Sequence, residues 1–117
     1  MKTVILYRSK HHGNTKKLVD AVAENFDNVD VIDVSTLGKN EYPELDEYPL
    51  VGIATGIYYG KIDDDLARVM EHTINEGQKI FGLITYGGSS KWYGKDIDGI
   101  CRMKRAVFLA CWGCAGF

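Results

Sequence analysis

The densest chemistry in this chain lies in one short stretch, Ser9-Lys10-His11-His12-Gly13-Asn14-Thr15, between an apolar run, Thr3 to Tyr7, and a segment with helical periodicity. A strand that feeds a polar, glycine-containing turn and then a helix aims free backbone N–H groups and the positive helix end at an anion. The surrounding charge agrees. Lys2, Arg8, Lys10, Lys16 and Lys17, with His11 and His12, all precede the first acidic residue, Asp20, in a chain of net charge −2. A basic N-terminus on a slightly acidic protein suits a small anion such as phosphate, whereas nucleic-acid binding calls for a broad basic face or groove. Taken alone, the same residues would serve equally well as a solvated basic helix end.

Two further stretches share a different chemistry. Thr55-Gly56-Ile57-Tyr58-Tyr59-Gly60-Lys61 and Thr85-Tyr86-Gly87-Gly88-Ser89-Ser90-Lys91-Trp92-Tyr93-Gly94 each follow an apolar run and mix glycine with aromatics. Glycine lets backbone come close to a flat ligand, and a Tyr or Trp can stack on its face, so the pair would wall a planar ring. A single exposed Tyr more often just covers a strand end. Three such loops side by side would be a site.

Other chemistries lack their residues. Neither G-x-G-x-x-G nor G-x-x-x-x-G-K-[ST] follows the first strand. A phosphoacceptor domain needs acidic groups where this chain has Arg8, Ser9 and Thr55. Cys111-Trp112-Gly113-Cys114 is a C-x-x-C, but a redox dithiol needs a following helix to stabilise its thiolate, and a zinc site needs more ligands than Cys101 supplies. Structural or incidental cysteines are the favoured reading. Asp63, Asp64 and Asp65 suit a helix cap better than a metal site.

The elements that must position these loops alternate between strand and helix. Thr3 to Tyr7 reads as the first strand, followed by a helix capped by Asn14 or Thr15 and running to about Phe26, with Leu18, Val19, Val22, Ala23 and Phe26 on its apolar face. Val29, Val31, Ile32 and Val34, broken by Asp30 and Asp33, predict an edge strand. Pro43 and Pro49 bracket an acidic connection, Glu41 to Glu47, with room for at most a short helix. Leu50 to Gly56 is apolar enough for a strand buried on both faces. The aspartates 63–65 open a helix with Leu66, Val69, Met70 and Ile74 on one face, which Gly77 ends. Lys79 to Thr85 predicts a fourth strand, the region near Gly94 to Lys104 a weak helix, and Ala106 to Trp112 a fifth strand.

Right-handed crossovers on an open sheet make this a doubly wound α/β fold with five parallel strands in the order 2-1-3-4-5, in one domain spanning 1–117. That order places the loops after strands 1, 3 and 4 at one sheet edge, where ligands bind in such folds. The N-terminal apolar run is far shorter than a membrane span of about twenty residues. Three cysteines crowded near the C-terminus are not a secreted disulfide framework, so a cytoplasmic protein is expected, with no membrane partner and no nucleic-acid partner.

Over nearly its whole length the sequence resembles the flavodoxin family. Gly13-Asn14-Thr15 matches the end of the family's T/S-x-T-G-x-T phosphate motif, and Gly56-Ile57-Tyr58-Tyr59-Gly60 and Tyr86-Gly87-Gly88-Ser89 stand where its two ring-flanking loops stand. The resemblance implies one non-covalently held FMN. Ser9, Lys10, His11, His12, Gly13, Asn14 and Thr15 would face its phosphate. Thr55, Gly56, Ile57, Tyr58, Tyr59 and Gly60, with Thr85, Tyr86, Gly87, Gly88, Ser89 and Trp92, would face its ring. Lys10 and His12 replace two hydroxyl residues of the motif, and both can still donate to phosphate, His12 in a pH-dependent way. Gly88 stands where some members have a stacking aromatic, leaving stacking to Tyr58, Tyr59 or Trp92. The resemblance further implies an electron carrier docking to redox partner proteins, with no catalytic side chain of its own. A flavin-dependent oxidoreductase acting on a quinone or porphyrinogen, and a module that has lost FMN, are the alternatives. The family places a last helix after the fifth strand, and the sequence stops at Phe117, so a partner, a homodimer or a longer form of the chain is expected to cover that face.

Overall fold

The computed structural model describes residues 2–8, 14–26, 28–38, 40–56, 62–86 and 95–115. Their elements run β1 (Thr3–Arg8), α1 (Asn14–Glu24), β2 (Val29–Asp33), a 3-10 turn (Val34–Thr36), β3 (Leu50–Gly56), α2 (Asp64–Thr73), β4 (Lys79–Tyr86), α3 (Lys95–Lys104) and β5 (Val107–Ala115). All four strand pairings are parallel, in the order β2-β1-β3-β4-β5. The alternating pattern of strand and helix therefore assembles as expected.

Because side chains alternate across a strand, each central strand feeds two cores. Val4 and Leu6 of β1, Val51 and Ile53 of β3, and Ile80 and Ile84 of β4 pack with Leu66, Val69 and Met70 of α2 and Ile97 and Ile100 of α3. The opposite face buries, among the described residues, only the smaller cluster of Ile5, Tyr7, Val19, Ala54 and Leu83 under α1. Between α1 and β5 that face opens into an apolar groove of about 680 Å³, lined by Ile5, Leu18, Val22, Phe81, Leu109 and Trp112.

Several expectations need correction. Val34 lies not in β2 but in the 3-10 turn, where the Asp33 side chain accepts from the Ser35 N–H and ends the strand. Helix α1 stops at Glu24, and Phe26, expected on its buried face, is 64% exposed at the rim of the groove. Helix α2 ends at Thr73 with Ile74 as its C-cap. Gly77 instead forms the turn beyond, at φ +80°, and donates its N–H to the Arg105 carbonyl. The 41–47 connection is anchored more firmly than its acidity suggests. Leu45 and Tyr48 are buried, and the Gln78 side chain donates to both of their carbonyls at 2.8 Å.

Strand β5 continues past Trp112 to Ala115 and carries a bulge: Ile80 pairs with Phe108 but Phe81 pairs with Ala110. The extra residue resets the alternation. Phe108 and Cys111, three apart, consequently both pack on the α2/α3 core, while Leu109 and Trp112 both line the groove.

Candidate functional site

The strand order brings the C-terminal ends of β1, β3 and β4 together. In register, Arg8 stands beside Thr55 and Gly56 beside Thr85, so the three loop-bearing ends are neighbours about 4.8 Å apart from strand to strand.

Three polar links pin the necks of the loops to one another, and a fourth closes the second neck on itself. The hydroxyls of Thr15, in the first turn of α1, and Thr85, at the end of β4, are 2.9 Å apart and buried, joining the first neck to the third. Arg8, the last residue of β1, donates to the Asp65 carboxylate of α2 at 2.7 Å, joining the first to the second. Thr55 closes the second neck on itself, donating to the Gly56 carbonyl at 2.8 Å and accepting from the Asp63 N–H at 3.3 Å. The Ile62 N–H donates to the Asp96 carboxylate of α3 at 3.2 Å, joining the second to the third. Buried polar groups must be paired, and here the pairing also fixes the bases of three loops.

The three helices begin differently. Asp63 caps α2, its side chain accepting from the Leu66 N–H, and Asp64 and Asp65 follow; α3 carries Asp96 and Asp98 in its first turn. Helix α1 carries no acidic residue there and has Lys16 and Lys17 instead. The positive ends of α2 and α3 are thus met by their own carboxylates, whereas that of α1 meets none in its first turn.

The sequence placed Arg8 and Lys16 in the basic cluster. Arg8 is matched by Asp65, and Lys16 bonds Asp20 at 2.8 Å one turn on. Their charges are directed at carboxylates of this chain, which lowers their contribution to an external anion. Of the aspartate triplet, Asp63 is buried and Asp65 holds Arg8, leaving Asp64 exposed.

Of the residues singled out from the sequence, Asn14, Thr15, Thr55, Gly56, Thr85 and Tyr86 fall at this edge. Ser9, Lys10, His11, His12, Gly13, Ile57, Tyr58, Tyr59, Gly60, Gly87, Gly88, Ser89 and Trp92 lie outside the described residues. Asp65 and Asp96 were not foreseen as links between loops. A first-turn aspartate reads as a cap from sequence alone, and only the sheet order shows what else it can reach.

The C-x-x-C segment lies within extended β5, where Cα atoms three residues apart are about 10 Å from each other, beyond disulfide reach. Burial also pushes the Cys111 thiol up, away from the reactive thiolate.

A family model described as a flavodoxin domain matches residues 4–95. The chain belongs to the flavodoxin family. An uncharacterized protein of Methanocaldococcus jannaschii is 30% identical over 87 residues, 74% of this chain and 55% of that protein, so this flavodoxin-family chain spans about half the length of its relative. Among solved structures, a flavoprotein in complex with FMN from Lactobacillus acidophilus superposes with a TM-score of 0.75 at 13% identity, over 96% of this chain and 92% of that one. An NADPH-quinone reductase from P. pentosaceus gives 0.75 at 14% identity, over 98% and 85%. At such identities the likeness shows the flavodoxin-like fold.

Proposed function

We propose that the protein holds one FMN at the C-terminal edge of its sheet and acts in the cytoplasm as an electron carrier between redox partner proteins. The observation that carries this reading is the start of α1: a helix N-terminus without first-turn acids, at the ligand-binding edge of the sheet, with Thr15 bonded to the neck of a glycine- and aromatic-rich loop. N–H groups at a helix start and a hydroxyl beside them are a donor set suited to a phosphate monoester. Asn14 and Thr15, with Ser9 to Gly13, would hold the phosphate. The segments Thr55 to Gly60 and Thr85 to Ser89, with Trp92, would flank the ring.

When bound, FMN supplies the redox chemistry by taking up and giving up electrons at its ring. The protein's part is to fix both ends of the cofactor and exclude water from it, which the pinned necks serve. The exposed acids Glu41, Glu44, Asp46 and Glu47, with Asp64, offer a negative surface for a basic partner.

A second reading, a flavin-dependent oxidoreductase, draws on the likeness to the NADPH-quinone reductase. The absorbance spectrum of the purified protein, followed by turnover assays, separates the readings. A carrier shows a flavin spectrum and releases FMN on denaturation, with negligible turnover of NADPH and a quinone in the absence of a partner protein. Sustained turnover supports the enzyme. A colourless protein that ignores added FMN contradicts both.

A further inference from the structure

The geometry points to Thr85 as a positioning residue for the phosphate: its hydroxyl donates to Thr15 and so aims the Thr15 proton at the anion. This rests on the FMN reading above and assigns a role within that site to a residue expected to face the ring.

The two hydroxyl oxygens are 2.9 Å apart, and both residues are buried, Thr15 at 2% exposure and Thr85 at 8%. A hydroxyl carries one proton and two lone pairs. Of two bonded hydroxyls, one donates and the other keeps its proton for a further acceptor. If Thr15 donates to Thr85, its proton is spent and its lone pairs are left to face the phosphate, which is repulsive. If Thr85 donates, the Thr15 proton points onward to an anion. Turning a hydroxyl needs no backbone movement, so an anion at the start of α1 selects the second arrangement.

The position of Thr85 gives the link a second consequence. Gly56 of β3 pairs with Thr85, which precedes Tyr86 and the third loop. A phosphate that orders Thr15 therefore orders the strand end from which the ring-flanking loop departs. This is a route by which the two halves of one ligand are held in register, 70 residues apart in sequence.

The test compares FMN with riboflavin, which lacks the phosphate, in titrations of the cofactor-free protein. Thr85→Val removes the donor and nearly keeps the shape, and Thr85→Ser keeps the donor. Without the Thr85 hydroxyl the Thr15 proton is unspent but no longer aimed, and loss of that neutral orienting bond corresponds to about a three- to tenfold weakening of FMN. The expected result is that loss in Thr85→Val, riboflavin affinity within about twofold of wild type, and FMN affinity largely restored in Thr85→Ser. In a Thr15→Val background the further substitution Thr85→Val should add little. Equal losses for both flavins, or unchanged FMN affinity, would overturn the proposal. Wild-type protein that binds neither flavin would overturn the FMN reading itself and this inference with it.

Discussion

At the scale of single residues, burial decides which groups can ionise. Cys101 is 1% exposed on α3 against the sheet, and burial, with the Asp98 carboxylate as a smaller contribution, pushes its thiol from 9.0 up to about 11. A folded-state value above the unfolded one means that the folded chain holds its proton longer, so stability is full below about pH 9 and is lost as pH rises through 11. Between pH 8 and 10.5 this one group should cost about 1–2 kcal/mol. Cys111, raised by burial, and Tyr48, whose phenol donates to Asp30 at 2.6 Å and is raised mainly by that bond, act in the same direction at alkaline pH. Urea denaturation at the two pH values should show the loss, and Cys101→Ala should reduce it without abolishing it. An identical pH dependence in the variant would mean that the thiol titrates as if exposed. The sequence showed Cys111 in a C-x-x-C ending in the fifth strand and Cys101 in the weak helix near 94–104. That the helix buries Cys101 and that a bulge turns Cys111 toward α3 were not legible, because the extra residue in β5 has no marker in its apolar run.

At the scale of elements, the sequence was most legible where one period dominated. The apolar β3, the 66-69-70 spacing of α2 and the aspartate before it each predicted the observed element. Boundaries failed where the deciding contact was distant. Phe26 reads as the next turn of α1, but the groove leaves it nothing to pack under. Leu45 and Tyr48 sit in an acidic, proline-flanked stretch, and it is Gln78 that draws it onto the core. The links between loop necks were equally hidden, since Arg8 and Asp65 are 57 residues apart and Ile62 and Asp96 are 34 apart. Asp63 joins two of these roles, capping α2 through its carboxylate and closing the second neck through its N–H. Asp63→Ala should therefore lower unfolding free energy by about 1–2 kcal/mol, the range of a buried cap, with Asp63→Asn retaining most of it. Equal losses in the two variants would show that the charge, rather than the cap bond, holds the helix.

At the scale of the whole molecule, the two faces of the sheet are unequal. The face under α2 and α3 is closed, whereas the α1 face keeps its groove, flanked by Phe26 at 64% and Trp112 at 59% exposure. Phe26 and Trp112 beside the groove offer exposed apolar surface that a second copy of the chain can bury. The expected outcome in sedimentation is a dimer that Leu109→Lys with Trp112→Lys converts to a folded monomer; a wild-type monomer at high concentration would contradict it. The strand order was readable from the alternation of elements, and with it the edge at which three loops meet. The central claim is that this edge holds a flavin by its phosphate at the start of α1, and the direct measurement is titration of the cofactor-free wild-type protein with FMN and with riboflavin. Two charge-assisted hydrogen bonds to the phosphate correspond to about a hundredfold preference for FMN. The account predicts a preference of that order or larger, and equal affinity for the two flavins would contradict it.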